Sequence, residues 1–170
     1  MLQFGFKSLE MIEGYLGVDS GKLDYDIALI DVDTLEAAEN YNVEQNYKNC
    51  FVTDFSIYSL KKGVEILNVF TKPAKVTKIL FSKNLLKEEN EYLDYLALGT
   101  KAVWEKEIMN FPIELANYSV TIVNQIIARI KMRKLSDHYK NSLIYLVTMI
   151  FDEEITEGVA KKIIKTIERV

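Results

Sequence analysis

The sequence has few of the residues that mark special chemistry or a divided architecture. Its 170 residues include one cysteine, one histidine, two prolines and seven glycines. One cysteine excludes an intramolecular disulfide, and one histidine excludes a metal site built from several histidines. No stretch rich in proline, glycine or serine separates two parts of the chain. We therefore predict a single domain over residues 1–170.

Long apolar runs and an excess of charge are lacking as well. No window holds the roughly 18 consecutive apolar residues of a membrane span, and the first residues lack a basic leader before an apolar stretch. With 21 basic and 25 acidic residues the net charge is −4, which gives no chain-wide attraction to nucleic acid or anionic lipid. These absences predict a cytoplasmic protein without a strong nucleic-acid signal.

Strand and helix patterns alternate along the first two thirds of the chain. The hydrophobic content of 49% is enough for a core without disulfides. Short apolar runs typical of buried strands alternate with stretches of helical spacing, and the runs are "DIALID", "CFVTDF", "VTKILFS" and a weaker "EKEIMNF" that ends at Pro112. This order predicts an α/β fold, with an open, mostly parallel sheet flanked by helices in three layers.

Only helical patterns follow Ile113, and we predict a helical C-terminal extension over residues 126–170. Ser136 is in position to cap a helix within it. The last helix carries a β-branched stripe, which predicts docking on the sheet or on a partner: Ile155, Val159, Ile163, Ile167 and Val170. Lysines beside this stripe leave membrane contact as the less favoured interpretation.

Polar residues stand at the predicted carboxyl ends of three strands, where ligands bind in open parallel sheets. They are Asp31 and Asp33 after the first, Asp54 after the second, and residues 82–84 after the third. An apolar strand that ends in aspartate is the arrangement by which a carboxylate fixes a nucleotide-bound magnesium ion. The alternative is an aspartate that caps the following helix.

The order of four segments resembles a known family. "YDIALIDVDT", "FVTDFSIYSLKKGVEIL", "KVTKILFSKN" and "EIMNFPIELANYSV" are together similar to the C-terminal part of MinD/ParA-type P-loop ATPases, including the CpaE/TadZ relatives, over residues 22–125. The resemblance implies a P-loop NTPase-like fold. It also implies that Asp31 is the Walker B ligand of Mg²⁺, that Asp33 begins the loop sensing the γ-phosphate, and that Asn84 and Pro112 lie near the nucleotide base.

The phosphate-binding loop of that family has no counterpart in the sequence. "GVDSGKL" is the only candidate, but its spacing is one residue short and Leu23 replaces the required Ser or Thr. It also precedes a predicted strand, whereas a phosphate loop links a strand to a helix. A carboxylate without phosphate-binding donors repels a nucleotide. We therefore predict a degenerate Walker motif, with no ATPase activity and no cofactor on its own.

The resulting hypothesis is a non-catalytic, MinD/ParA-like interaction module. By resemblance it would form a homodimer and help to position or assemble a larger cytoplasmic machine, such as a secretion, conjugation or partition apparatus. The alternative is the C-terminal fragment of an active ATPase whose phosphate loop lies in an absent N-terminal segment. That protein would bind ATP and Mg²⁺.

Four further features have simpler interpretations than a functional site. We predict that Cys50 is a buried, inert thiol and that His138 is solvated near a helix start. The basic cluster between Arg129 and Lys140 is assigned to a helix end, since no aromatic residues alternate with it. A group of aromatic side chains is expected to fill the space between sheet and helices: Tyr92, Tyr95 and Trp104.

Overall fold

The computed structural model describes residues 29–41, 43, 48–83, 87–128, 131–151 and 154–168. Strands and helices alternate up to β3, and only helices follow it. The elements are α1 (Leu35–Asn40), β1 (Asn49–Thr53), α2 (Ile57–Leu67), β2 (Ala74–Ser82), α3 (Lys87–Leu96), β3 (Ala102–Pro112), α4 (Leu115–Ile127), a 3₁₀ turn (Met132–Lys134), α5 (Asp137–Ile150) and α6 (Glu157–Ile167).

The three strands form an open parallel sheet in the order β1-β2-β3. Parallel neighbours need a crossover, and α2 and α3 supply the two crossovers. The β2–β3 ladder contains an irregularity between Val76 and Lys78, after which the pairing continues to Ser82 opposite Pro112. The prediction of an α/β fold with an open parallel sheet and flanking helices is confirmed.

Both faces of the central strand are covered. Val76 and Leu80 belong to a buried cluster that includes side chains of α2 and α3. Ile79 points to the other face, where it packs with Met109, Phe111 and partly buried residues of α5. The continuous apolar run of β2 fits this two-sided burial, because successive strand residues point to opposite faces.

Hydroxyl side chains set the starts of the helices. The Ser56 hydroxyl accepts a hydrogen bond from the Ser59 backbone N–H at 3.3 Å, and the Ser136 hydroxyl accepts one from Tyr139 N–H at 3.2 Å. The predicted cap at Ser136 is thus present, and Ser56 caps α2 in the same way. Helix α6 docks on α5 through Ala160 and Ile164. Val159 and Ile163, at the centre of the predicted stripe, are exposed and do not dock on the sheet, while docking on a partner stays a prediction. Val170, the last residue of the stripe, lies outside the described residues.

The first predicted strand is corrected in its described part. Residues 29–33 form no strand, and Leu29 is 82% exposed. Val32 is partly buried and packs against the core, while Asp31 and Asp33 on either side of it are exposed. A strand covered on both faces needs every apolar residue inside, and here only alternate residues turn inward. Residues 1–28, which include the start of this predicted strand, lie outside the described residues.

Three predicted core side chains lie at the surface. Cys50 is exposed because β1 is at the edge of the described sheet, and only alternate residues of an edge strand face the core. Tyr92 and Tyr95 are exposed on the solvent side of the acidic helix α3, whose buried residue is Leu93. Trp104 is partly buried and packs against the main core, as expected.

Candidate functional site

The carboxyl ends of β2 and β3 come together as the sequence predicts. Ser82 and Pro112 are register partners, and the Ile113 N–H donates a hydrogen bond to the Ser82 carbonyl at 3.0 Å. The Ser82 hydroxyl lies 3.0 Å from Asn110 Oδ1 and is buried. These polar groups satisfy one another across the strand ends. Asn84, the predicted base-contacting residue, lies outside the described residues.

Asp54 belongs to the tight turn between β1 and α2. Its Oδ1 accepts a hydrogen bond from the Ser56 N–H at 3.0 Å, and the Thr53 hydroxyl accepts one from the Phe55 N–H at 3.0 Å. Phe55 has φ 63°, a left-handed conformation that non-glycine residues rarely adopt. The Asp54 carboxylate therefore orders the start of α2. Of the two alternatives for an aspartate at a strand end, this contact fits the one that supports the following helix rather than the one that binds magnesium.

Asp33 pairs with a lysine of α2, and Asp31 lies in the wall of a cleft beside β1. Asp33 Oδ2 is 3.8 Å from Lys62 Nζ of α2, an exposed ion pair of the kind that contributes little to stability. Asp31 is exposed beside β1. In the described ranges no three metal-ligating side chains lie close together. Magnesium is often held by one or two carboxylates plus nucleotide phosphates, so Asp31 fits this role only with a nucleotide bound.

A cleft of about 850 Å³ runs along the outer edge of β1. Residues 29–32 form one wall, and the backbone of residues 48–52 with part of α2 forms the other. In the described sheet β1 pairs with β2 alone, so its other edge has backbone groups available for a further strand. The volume also lies within the roughly 300–1,000 Å³ of small-molecule sites.

A cluster of polar side chains lies beside this cleft, under α5. Thr77 donates a hydrogen bond to Glu105, and the Tyr145 hydroxyl donates one to Glu107. Although Cys50 is exposed, its thiol is partly shielded from water by neighbouring atoms, and this desolvation, with the negative charge of Glu105, raises its pKa against the opposing effect of Lys48. Because the thiolate is the nucleophilic form, this environment does not activate Cys50.

A broad apolar surface lies on α4, whose thirteen residues include no charged side chain. Only Asn117 and Val120 of this helix are buried. Its other large side chains are exposed along a broad stripe, which we call the α4 apolar face: Leu115, Tyr118, Ile122, Val123, Ile126 and Ile127. Ile126 is 77% exposed. The sequence pattern predicted a helix here, but it did not predict that one side of the helix is apolar and exposed. The lack of charged residues along the helix was a signal from which this could have been predicted.

The α4 apolar face is held outward by a hydrogen-bonded anchor on the opposite side of the helix. Asn117, 3% exposed, donates through Nδ2 to Glu114 Oε2 and to the Ser136 hydroxyl, each at 3.0 Å. Its Oδ1 accepts from the Ser136 N–H at 2.8 Å. A buried amide with these partners fixes the rotation of α4 about its axis. The apolar side chains are therefore presented by a rigid support.

Comparisons with known proteins give no match to any family model, curated protein or solved structure. The similarity of residues 22–125 to MinD/ParA-type ATPases therefore stays a prediction based on segment order. Among the described residues, no helix has the length and apolar character needed to cross a membrane. The site must be interpreted from its own geometry.

Proposed function

We propose that this chain is a non-catalytic protein-interaction module whose contact surface is the α4 apolar face. The observation that carries the proposal is a row of six large apolar side chains exposed on an uncharged, anchored helix. Single exposed apolar residues are ordinary, whereas a contiguous apolar patch marks a contact site or an aggregation liability. The Asn117 anchor favours the contact site, because it orients this face specifically.

The shape and composition of α4 favour a protein as the ligand. The surface is one side of a helix, and a small molecule needs a concave site that encloses it. A helix that lies on a membrane combines its apolar face with a basic polar face. Helix α4 has no basic residue, so an apolar surface of another protein is the better match.

The process that the module serves is proposed from resemblance. The parallel order β1-β2-β3 with helical crossovers agrees with the coarse fold of the MinD/ParA class, and the polar residues at its strand ends satisfy one another or cap helices. A shared fold does not by itself give a shared function. On this basis we propose a role in positioning or assembling a larger cytoplasmic machine, such as a secretion, conjugation or partition apparatus.

Size fractionation of native cell extracts tests the proposal. We expect the wild-type chain to elute above its monomer size and the Leu115→Gln/Ile126→Gln variant to elute as a monomer. The matched control is Ile57→Gln/Tyr58→Gln, which changes two equally exposed side chains on α2. A wild-type chain that elutes as a monomer, or a control that behaves like the α4 variant, contradicts the proposal.

A second candidate function is favoured by the open edge of β1. The cleft beside it has room for a further strand, and its wall includes Asp31. If that strand came from an absent N-terminal segment with a phosphate loop, the chain would be part of an ATPase that uses ATP and Mg²⁺. Titration calorimetry with magnesium-ATP, on a chain extended by the segment encoded upstream of it, decides this: micromolar binding that is lost in Asp31→Ala supports the ATPase, and no binding supports the non-catalytic module.

A further inference from the structure

We infer that the partner of the α4 apolar face is a second copy of this chain, with the two α4 helices packed antiparallel about a two-fold axis. This inference rests on the proposed function and names its partner. Three observations carry it: the absence of charge on the face, the distribution of large and small side chains along it, and the charges beyond its two ends.

The absence of charge removes the main obstacle to self-association. At a two-fold axis each surface meets an identical surface, so a charged side chain near the axis faces its own equivalent. Residues 115–127 carry no charge, and the exposed residues between the apolar side chains are small or amide-bearing. A partner recognised through charge complementarity would find nothing to recognise on this face.

The side chains along α4 match an antiparallel copy of the same helix. When the two-fold axis passes beside the point between Val120 and Thr121, close to the centre of α4, Leu115 lies near Ile126 of the second copy, because both residues are equally far from that point. Tyr118 then lies near Val123 of the second copy, and the small Ser119 lies opposite Ile122. Large side chains beside small ones are what close packing of two helices requires.

The charges beyond the two ends of α4 are opposite in sign. Glu114 immediately precedes the helix, and exposed Lys131, Arg133 and Lys134 follow it. The Lys131 N–H donates to Asn124 Oδ1 at 3.0 Å, which keeps the basic residues close to the end of α4. An antiparallel pair brings the acidic end of one helix to the basic end of the other and also opposes the helix dipoles. A parallel pair would place like charges together.

The area available is close to what a dimer needs. A fully exposed leucine or isoleucine side chain offers on the order of 100 Å². The side chains of the face are between 38% and 83% exposed, and Ile113 extends the surface at its start. Together they offer a large part of the roughly 800 Å² per partner that stable interfaces bury.

Sedimentation equilibrium of the purified chain tests the inference. We expect a dimer for the wild-type chain and at least a tenfold weaker association for Ile126→Glu, because the new carboxylate is desolvated in the interface. The control is Tyr58→Glu, at a position on α2 that is also 77% exposed, and it should dimerise like the wild type. A monomeric wild-type chain overturns the inference, as does equal weakening by both variants.

Cysteine crosslinking tests the orientation in a Cys50→Ser background. A mixture of Leu115→Cys and Ile126→Cys chains should form mixed disulfides, while each chain alone should not. Disulfides between identical chains would indicate a parallel pair and overturn the arrangement. Binding of a monomeric chain to neutral lipid vesicles would assign the face to a membrane and also overturn it. If the purified chain is a monomer but the chain in cell extracts elutes in large complexes, the partner is not a second copy. That result overturns this inference and still supports the proposed function.

Discussion

Lys78 shows how one residue links the sheet to a helix. It lies on the central strand with 2% of its surface exposed, and its ammonium group is 4.9 Å from the centre of the Trp104 ring. Its Nζ donates to Asn90 Oδ1 at 2.6 Å and to the Asp94 carboxylate, both on α3. A buried charge is tolerated only when it is paired and hydrogen-bonded. These contacts therefore fix the position of α3 on the sheet.

Removal of the Asp94 carboxylate should destabilise the protein. Asp94→Ala leaves the buried Lys78 charge without its counter-ion, and we expect a loss of about 2 kcal/mol, below the 3–5 kcal/mol of fully buried pairs because Asp94 is half-exposed. Denaturant unfolding measures this. The control is Glu91→Ala, which breaks an exposed pair with Lys87 on the same helix and should cost less than about 0.5 kcal/mol.

A second variant tests whether the unpaired Lys78 charge, and not the substitution in helix α3 itself, causes the loss of stability. Lys78→Met combined with Asp94→Ala removes both charges and keeps an apolar side chain of similar length in the core. We expect this double variant to be more stable than Asp94→Ala alone, because no unpaired charge remains buried. If the double variant is the less stable of the two, the buried charge is not the cause of the loss.

Tyr145 gives a pH-dependent prediction at the same scale. Burial, its hydrogen bond to Glu107 and the charges of Glu107 and Glu105 raise its pKa from 10 to about 12. Since the folded-state pKa is raised, the stability that Tyr145 contributes is complete below pH 10 and is lost as the pH rises through about 12. NMR titration of labelled tyrosine should show a lower Tyr145 pKa in Glu107→Gln; an unchanged pKa would refute this role of Glu107.

At the scale of elements, α2 and β1 pack closely enough to require a glycine. A Cβ atom on Gly63 would lie 2.5 Å from Cε2 of the Phe51 ring. Phe51 is held between the main core and Trp104, whose ring it meets edge-on at 5.6 Å between centroids. An added Cβ atom therefore forces the ring out of its present position.

Gly63→Ala should destabilise the protein although alanine favours helices. Alanine gains up to about 1 kcal/mol of helix propensity, but overpacking a core costs roughly 1–3 kcal/mol, so we expect a net loss of about 1–2 kcal/mol in thermal or denaturant unfolding. The matched control is Gly158→Ala in α6, where the added Cβ meets only Thr156 Oγ1 at 3.9 Å. That variant should be as stable as the wild type or slightly more stable. Equal effects at the two positions would argue against the close contact.

Periodicity and caps predicted most of these elements from the sequence. The runs that became β1, β2 and β3 are short and apolar, and Ser56 and Ser136 mark helix starts, so local rules sufficed. The described part of the first predicted strand failed because an apolar run does not show whether a neighbouring strand is present to pair with it. The exposure of Cys50 was missed for a related reason, since sheet order decides which strand is at the edge.

The candidate site was predictable only in part. The meeting of Ser82 and Pro112 followed from the rule that parallel strands end at one edge. The α4 apolar face could not be predicted from such a rule. Amphipathic spacing shows which residues share a face of a helix, but not whether the rest of the protein covers that face. Its apolar residues were consistent with burial in the core or with an open surface, and only the tertiary structure separates these cases.

At the scale of the whole molecule, substitutions on the α4 apolar face should distinguish the stability of the folded monomer from its association with a partner. Its two most exposed side chains, Leu115 and Ile126, contribute little to the stability of the monomer because they touch water, whereas they would be buried in a complex. Replacing either of them with a polar residue should leave the unfolding free energy of the monomer within about 0.5 kcal/mol, as is usual for surface positions. The same substitutions should abolish association. A large loss of monomer stability would show that α4 is covered within the chain itself.

The most direct test of the account is photo-crosslinking in living cells from a reactive amino acid placed at position 126. We expect discrete protein adducts from this position, with a second copy of the chain as the main one, and none from position 58, which is exposed to the same extent on α2. Adducts from position 58 alone, or none from position 126, would contradict the claim that the α4 apolar face is the contact surface of an interaction module.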